Sequence, residues 1–236
     1  MDNRIERLCA WSGFAMIACC FTAYVPSHLV PVLPAGISAE ELEAFLIANK
    51  YPLLMGMVVQ LFGGTSFLWT WCVGLAYSLK RHANAQPLLV YLMVAMGGAA
   101  TMVGVICGCF GSLMVFRVGE VSPEIPQMAY DMFWFFFLIP WPPFTLWALL
   151  AGVAILSDTR ENPVFPRWSG YMSLWAGLVE APAALCVFYK TGPFSYNGAI
   201  TWWVPTVSFF FWVVVMAVLM IKASYRTTNT TDAAVA

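Results

Sequence analysis

Apolar residues along this chain run in long unbroken stretches, and six such stretches are separated by short polar or proline-rich segments. Each is about 18–30 residues long, the length a helix needs to cross a bilayer at 1.5 Å per residue. A membrane β-strand would alternate apolar and polar positions over about ten residues. The pattern therefore predicts spanning helices over about 8–25, 52–78, 87–116, 127–156, 168–189 and 201–221. The first run follows Arg4 and Arg7, as the core of a signal peptide would. It is long for such a core and no A-x-A site follows, so it reads as a retained span.

The intervening segments carry their own signals. Pro26, Pro31 and Pro34 forbid a continuous helix after the first run. Ser38-Ala-Glu-Glu41 is a capping box that opens a short helix to about Asn49. Leu42, Phe45 and Leu46 recur on one face of it and Glu40, Glu41 and Glu43 on the other, which predicts an interfacial helix in the first external loop. In the fourth stretch, Pro140, Pro142 and Pro143 remove three backbone donors, so a kink or break is expected near its middle. Gly192-Pro193 and Asn197-Gly198 mark turns before the last span. The expectation is one domain, residues 1–226, and a disordered polar tail at 227–236.

Composition fixes the solvent. The 236 residues are 61% hydrophobic and 10% charged, with a mean hydropathy of +0.77. So little charge cannot cover a water-soluble globule, for which about 25% is usual. In lipid every backbone group must be paired within the chain, which leaves helices as the spanning element. The fold class is thus an all-α integral membrane protein, a six-transmembrane-helix bundle. A net charge of −1 offers no basic face for nucleic acid. The seven cysteines all fall inside apolar runs and read as small buried apolar side chains. His28 lies in a surface loop, and no metal- or haem-ligand spacing, P-loop or nucleophile elbow is present, so no metal or cofactor is expected.

With six spans and the N-terminus inside, eight of the eleven basic residues fall on the inner side: Arg4, Arg7, Lys80, Arg81, Arg160, Arg167, Lys222 and Arg226. That bias puts both termini in the cytoplasm. The inner side then carries a net +3 and the outer side −4.

One carboxylate lies deep inside an apolar span: Glu180. Gly170, Ser173, Gly177, Glu180 and Ala184 share one helical stripe whose other members are small, so Glu180 is expected to face the bundle. Desolvation there favours the neutral acid unless a cation sits nearby. An ionisable group at such depth is a functional-site candidate. The competing reading makes it a hydrogen-bonded clasp between helices. Gln60 shares a face with Gly56 and Gly64, and Asp131 lies one turn inside the fourth span. The expected site is an outward-facing, aromatic-lined pocket with Glu180, Asp131, Gln60, Trp141 and Tyr189 as ligand-binding residues, and with a polar group from the second or fourth span in hydrogen-bond reach of Glu180. Ala100, Gly104 and Gly108 form a small-residue row on the third span, available for homo- or hetero-oligomer contact.

The segment NPVFPRWSGYMSLW, followed by an apolar helix and KTGPFSYNG, resembles a family of uncharacterised bacterial multi-pass integral membrane proteins. SAEELEAF is similar to the helix in their first loop. The resemblance covers about half the chain; it implies a multi-pass inner-membrane protein and supplies no activity. Two functions are expected from the site itself: binding or transport of a small, largely apolar molecule, or a non-catalytic accessory subunit of a membrane complex. An enzyme using Glu180 as a general acid lacks a clearly placed second group.

Overall fold

The computed structural model describes residues 3–139 and 141–233, with the side chains of 141 and 227–233 excepted. It is all-helical, without strands among the described residues. The helices are α1 (Asn3–Tyr24), α2 (Ala39–Ala48), α3 (Lys50–Val59), α4 (Thr65–His82), α5 (Pro87–Phe116), α6 (Glu124–Leu138), α7 (Trp141–Leu156), α8 (Arg167–Glu180) and α9 (Val204–Ala233). They assemble into six segments long and apolar enough to cross a membrane: Asn3–Tyr24, Lys50–His82, Pro87–Phe116, Glu124–Leu156, Arg167–Phe188 and Ala199–Arg226. The second is longer at both ends than the hydrophobic run alone predicts, because Lys50 and Lys80-Arg81-His82 continue the helix past its apolar part. The expected polar tail falls where side chains are not described, and its last three residues lie outside the described ones altogether.

The fourth segment breaks where the prolines stand. α6 ends at Leu138 and α7 begins at Trp141, so Pro142 and Pro143 occupy a first turn, where no backbone donor is needed. The capping box before α2 is formed: Glu41 N donates to Ser38 Oγ at 3.2 Å, and Ser38 N donates to Glu41 Oε2 at 3.3 Å. α2 buries Leu42 and Leu46, while Gly119 N donates to Glu43 Oε1 at 3.2 Å across the same end of the bundle.

Close helix packing rests on cysteine and glycine. A Cβ on Gly63 would sit 2.5 Å from Cys19 Sγ, one on Gly74 would overlap Cys9 Cβ, and one on Gly97 would overlap Cys72 Sγ. The cysteines thus act as small knobs in glycine holes, and all seven are free thiols. Cys109 departs from the expectation of burial, since it is exposed on the outside of the bundle. The row on α5 is filled by the chain itself: Cβ atoms would lie 2.5 Å from Leu61 Cδ2 at Gly108 and 3.0 Å from Thr65 Cγ2 at Gly104. The Gly104/Gly108 face therefore packs α5 against the second segment.

The centre is a triad of fully buried tryptophans. Trp71, Trp147 and Trp212 meet edge to face with all three centroid distances at 5.3 Å. Trp212 Nε1 donates to Ser173 Oγ at 2.9 Å, which gives one residue of the α8 stripe its partner.

At the end of the bundle that holds both chain ends, polar residues replace apolar ones. Glu6 is 3% exposed and pairs with Arg81 Nη1 at 3.0 Å and His82 Nε2 at 2.7 Å. Arg160 donates to the His82 carbonyl and to Asp158 Oδ1, the latter from Nε at 2.7 Å. The carboxyl of Asp158, in the loop after α7, is held below the ordinary aspartate range by these hydrogen bonds from Arg160. A folded-state value lower than the unfolded one stabilises the fold above about pH 4 and loses that contribution as pH falls further. Thermal stability is accordingly expected to drop on acidification below about pH 4, and Asp158→Asn to flatten that part of the profile. A melting curve of Asp158→Asn that follows wild type at every pH would contradict the assignment.

Candidate functional site

Four irregularities interrupt otherwise continuous helices. α3 passes into α4 through a π-helical turn, Gln60–Gly64. Such turns insert one residue into the ladder and are frequent at functional sites. Gly63 and Gly64 permit the tight approach, since a Cβ on Gly64 would lie 2.5 Å from Gln60 Oε1. α8 stops at Glu180 and tightens into a 3-10 turn, Ala181–Phe188. Pro182 cannot donate to the Leu178 carbonyl, which accepts from Ala181 N instead. The α6–α7 break is the third irregularity, and a second π-helical turn, Ala199–Trp203, leads into α9 as the fourth.

A cavity of about 90 Å³ lies among these interruptions, with walls from all six segments. Met16, Cys20 and Tyr24 come from α1, Gln60, Gly64, Thr65 and Leu68 from the second segment, and Ala100, Val103 and Gly104 from α5. Phe137 and Leu138 before the break and Phe144 after it form the fourth side. Glu180 and Ala183 line the fifth; Pro205, Thr206, Phe209 and Phe210 of α9 complete it. The surroundings are apolar with few polar groups, the usual make-up of a small-molecule site.

Two of those polar groups have nothing to bind. Glu180 Oε1 and the Tyr24 hydroxyl are both buried and have no hydrogen-bond partner among the described residues. Tyr24 as a residue is only 7% exposed. Gln60 is engaged, with its Oε1 accepting from Cys20 Sγ at 3.5 Å. Leaving a buried polar atom unpaired costs about 1–3 kcal/mol, so a native fold that keeps two in one cavity has a cost to be explained. No Lys, Arg or His lines the cavity. A carboxyl in such surroundings has no counter-charge among the lining residues.

The structure brings together Glu180 and Gln60 from the expected set and places Asp131 and Tyr189 away from them. Gln60 shares the cavity, yet Oε1 of Glu180 has no partner from the second or fourth segment, contrary to expectation. Helical spacing shows which residues face inward, whereas hydrogen-bond reach depends on how far apart the segments stand. Asp131 lies outside the cavity and accepts from the Tyr196 hydroxyl at 3.3 Å. The loop TGPFSYNG causes this. Gly192 turns at φ +84°, Gly198 N donates to the Ser195 carbonyl at 2.8 Å, and Tyr196 is folded under against Trp134 and Tyr130. Tyr189 is half exposed against Phe194 and does not reach the cavity either. The side chain of Trp141 lies outside the described residues.

Tyr24 escaped the sequence reading because a tyrosine near the end of a span looks like an interfacial anchor. The Glu6–Arg81–His82 cluster escaped it too, although its three members stand at the ends of consecutive antiparallel spans. Among the described residues, no group of His, Cys, Asp or Glu is arranged to hold a metal ion. Comparison with models of known families, with curated proteins and with solved structures finds no match.

Proposed function

We propose that this is a multi-pass protein of a bacterial cell membrane that binds or transports a small, largely apolar molecule in the cavity around Glu180. The observation that carries the reading is the unpartnered Glu180 Oε1, buried in an apolar cavity to which every spanning segment contributes. A ligand bearing one hydrogen-bonding group would satisfy it. Interrupted helices around a mid-membrane cavity are also how many transporters build their sites. The excess of Lys and Arg at the end holding both chain ends supports a cytoplasmic placement for that end. On that placement α2 rests at the outer surface and the cavity lies in the outer half.

The accessory-subunit reading drew on the glycine row of α5, and that row is occupied by Leu61 and Thr65 of the same chain. The clasp reading of Glu180 needs a partner for its carboxyl, and Oε1 has none among the described residues. The two readings of Glu180 differ in sign when it becomes Leu. A ligand-binding acid is kept at a cost in stability, so Glu180→Leu is expected to raise stability by about 1 kcal/mol or more. The same variant should lose, about tenfold or more, a small molecule that co-purifies with wild type and is identified by mass spectrometry of solvent extracts. Lower stability with an unchanged extract would reject ligand binding in favour of the clasp.

A further inference from the structure

The cavity is not closed on every side. α1 and α9 are tied together at the end holding both chain ends, where Asn3 Nδ2 donates to the Ser224 carbonyl at 3.2 Å and the Arg7 guanidinium stands 4.8 Å from the centre of the Tyr225 ring. Towards the other end they part. The gap between them forms a second cavity of about 150 Å³ whose walls present only apolar surface. It shares Cys20, Tyr24, Phe137, Thr206 and Phe210 with the cavity around Glu180, so the two chambers adjoin across these side chains. Its rim stands on the outside of the bundle, with Phe21 58% and Val207 61% exposed. The Phe21 and Phe210 rings, 6.1 Å apart, bridge that rim. With these segments read as membrane spans, this outside is lipid.

We infer that the ligand is an uncharged single-chain lipid with a hydroxyl or carbonyl head, admitted sideways from the bilayer between α1 and α9. This rests on the reading of the Glu180 cavity as a binding site. The outer chamber suits a hydrocarbon chain because it offers that chain no polar partner. Tyr24 and Glu180 line the inner chamber, and the hydroxyl of the one and Oε1 of the other lack a partner among the described residues. Charge excludes the commoner membrane lipids. No Lys, Arg or His lines either chamber, so a phosphate head would enter without a counter-charge and beside an acid. A neutral head loses little on leaving the interface and gains two hydrogen bonds.

The test uses the full-length protein in phosphatidylcholine nanodiscs and three photo-crosslinking probes. These are hexadecan-1-ol with a diazirine near the hydroxyl, hexadecyl phosphate tagged at the same place, and a tagged four-carbon alcohol. Labelled positions are mapped by peptide mass spectrometry. Hexadecanol is expected to label the peptides holding Tyr24 and Gln60 about tenfold more than the phosphate does. Val207→Trp, which fills the rim from an exposed position, should cut that labelling about tenfold, and Phe21→Ala, which opens it, should raise it. Equal labelling by hexadecyl phosphate would overturn the neutral head. Labelling of the cavity by both alcohols, unchanged in Val207→Trp and Phe21→Ala, would overturn sideways access and leave the binding site standing. No labelling of the cavity by either alcohol would remove the site itself and the inference with it.

Discussion

Replacing Glu6 with Ala is expected to cost about 3–5 kcal/mol of stability, the cost of breaking a buried ion pair from one side. The Glu6 side chain is 1% exposed, and Arg81 and His82 both direct nitrogens at it within 3.0 Å. Without the carboxylate, the His82 ring loses this acceptor where water cannot replace it, and the Arg81 guanidinium loses its counter-charge. The consequence reaches beyond the pair, because Arg160 also donates to the His82 carbonyl. One cluster thereby joins the start of α1, the end of α4 and the loop after α7. For a chain of this length the loss corresponds to a melting temperature about 10 °C lower. Glu6→Gln keeps the shape and one acceptor oxygen, and should lose less. A loss below about 1 kcal/mol for Glu6→Ala, as for an exposed surface pair, would show that the cluster does not hold these elements together.

Gly97→Val is expected to destabilise by about 3 kcal/mol or more, at the upper end of what overpacking costs. Even the first added carbon would overlap Cys72 Sγ and come within 3.1 Å of Trp147 Cε2. Neither neighbour has room to yield. Cys72 is a short, fully buried side chain, and Trp147 is locked edge to face against Trp71 and Trp212. Because the closest overlap is with the Cys72 sulfur, Cys72→Ala should recover part of the loss in the background of Gly97→Ala. Thermal denaturation of the two single variants and the double variant measures that coupling. Strictly additive losses would mean that the close approach of α4 and α5 at this point is not what makes the glycine necessary.

Much of the fold is legible in the order of residues, and for a physical reason. A bilayer sets the length of a spanning helix, and lipid forbids unpaired backbone, so runs of apolar residues convert almost directly into elements. Six runs become six segments, and Ser38 and Glu41 close their capping box because that motif is local. The division between α6 and α7, just before Pro142 and Pro143, is equally local, since the chemistry of proline requires no distant partner. The inward stripe on α8 was legible from helical spacing, and Ser173 and Gly177 do meet α9 and α7.

What was not legible depends on distance between segments. The Gly104/Gly108 row has the same spacing whether it meets another molecule or Leu61 of its own chain. Asp131 looked like a companion of Glu180 until the TGPFSYNG loop brought Tyr196 to it instead. Tyr24 carries no mark in the sequence that separates a site residue from an interfacial anchor. The π-helical turn that sets Gln60 into the cavity is signalled only by the pair Gly63-Gly64, and many glycine pairs sit in unbroken helices.

By itself, the sequence determined that Glu180 is a polar group in an apolar span facing the bundle, because periodicity and hydropathy are properties of one helix. Only the tertiary structure decided that its Oε1 is left without a partner and that Tyr24 joins it. It also placed a second, apolar-walled cavity beside them, lined by residues of α1 and α9. Hydrogen-bond satisfaction and empty space belong to the arrangement of several segments at once, and no single stretch of chain encodes either.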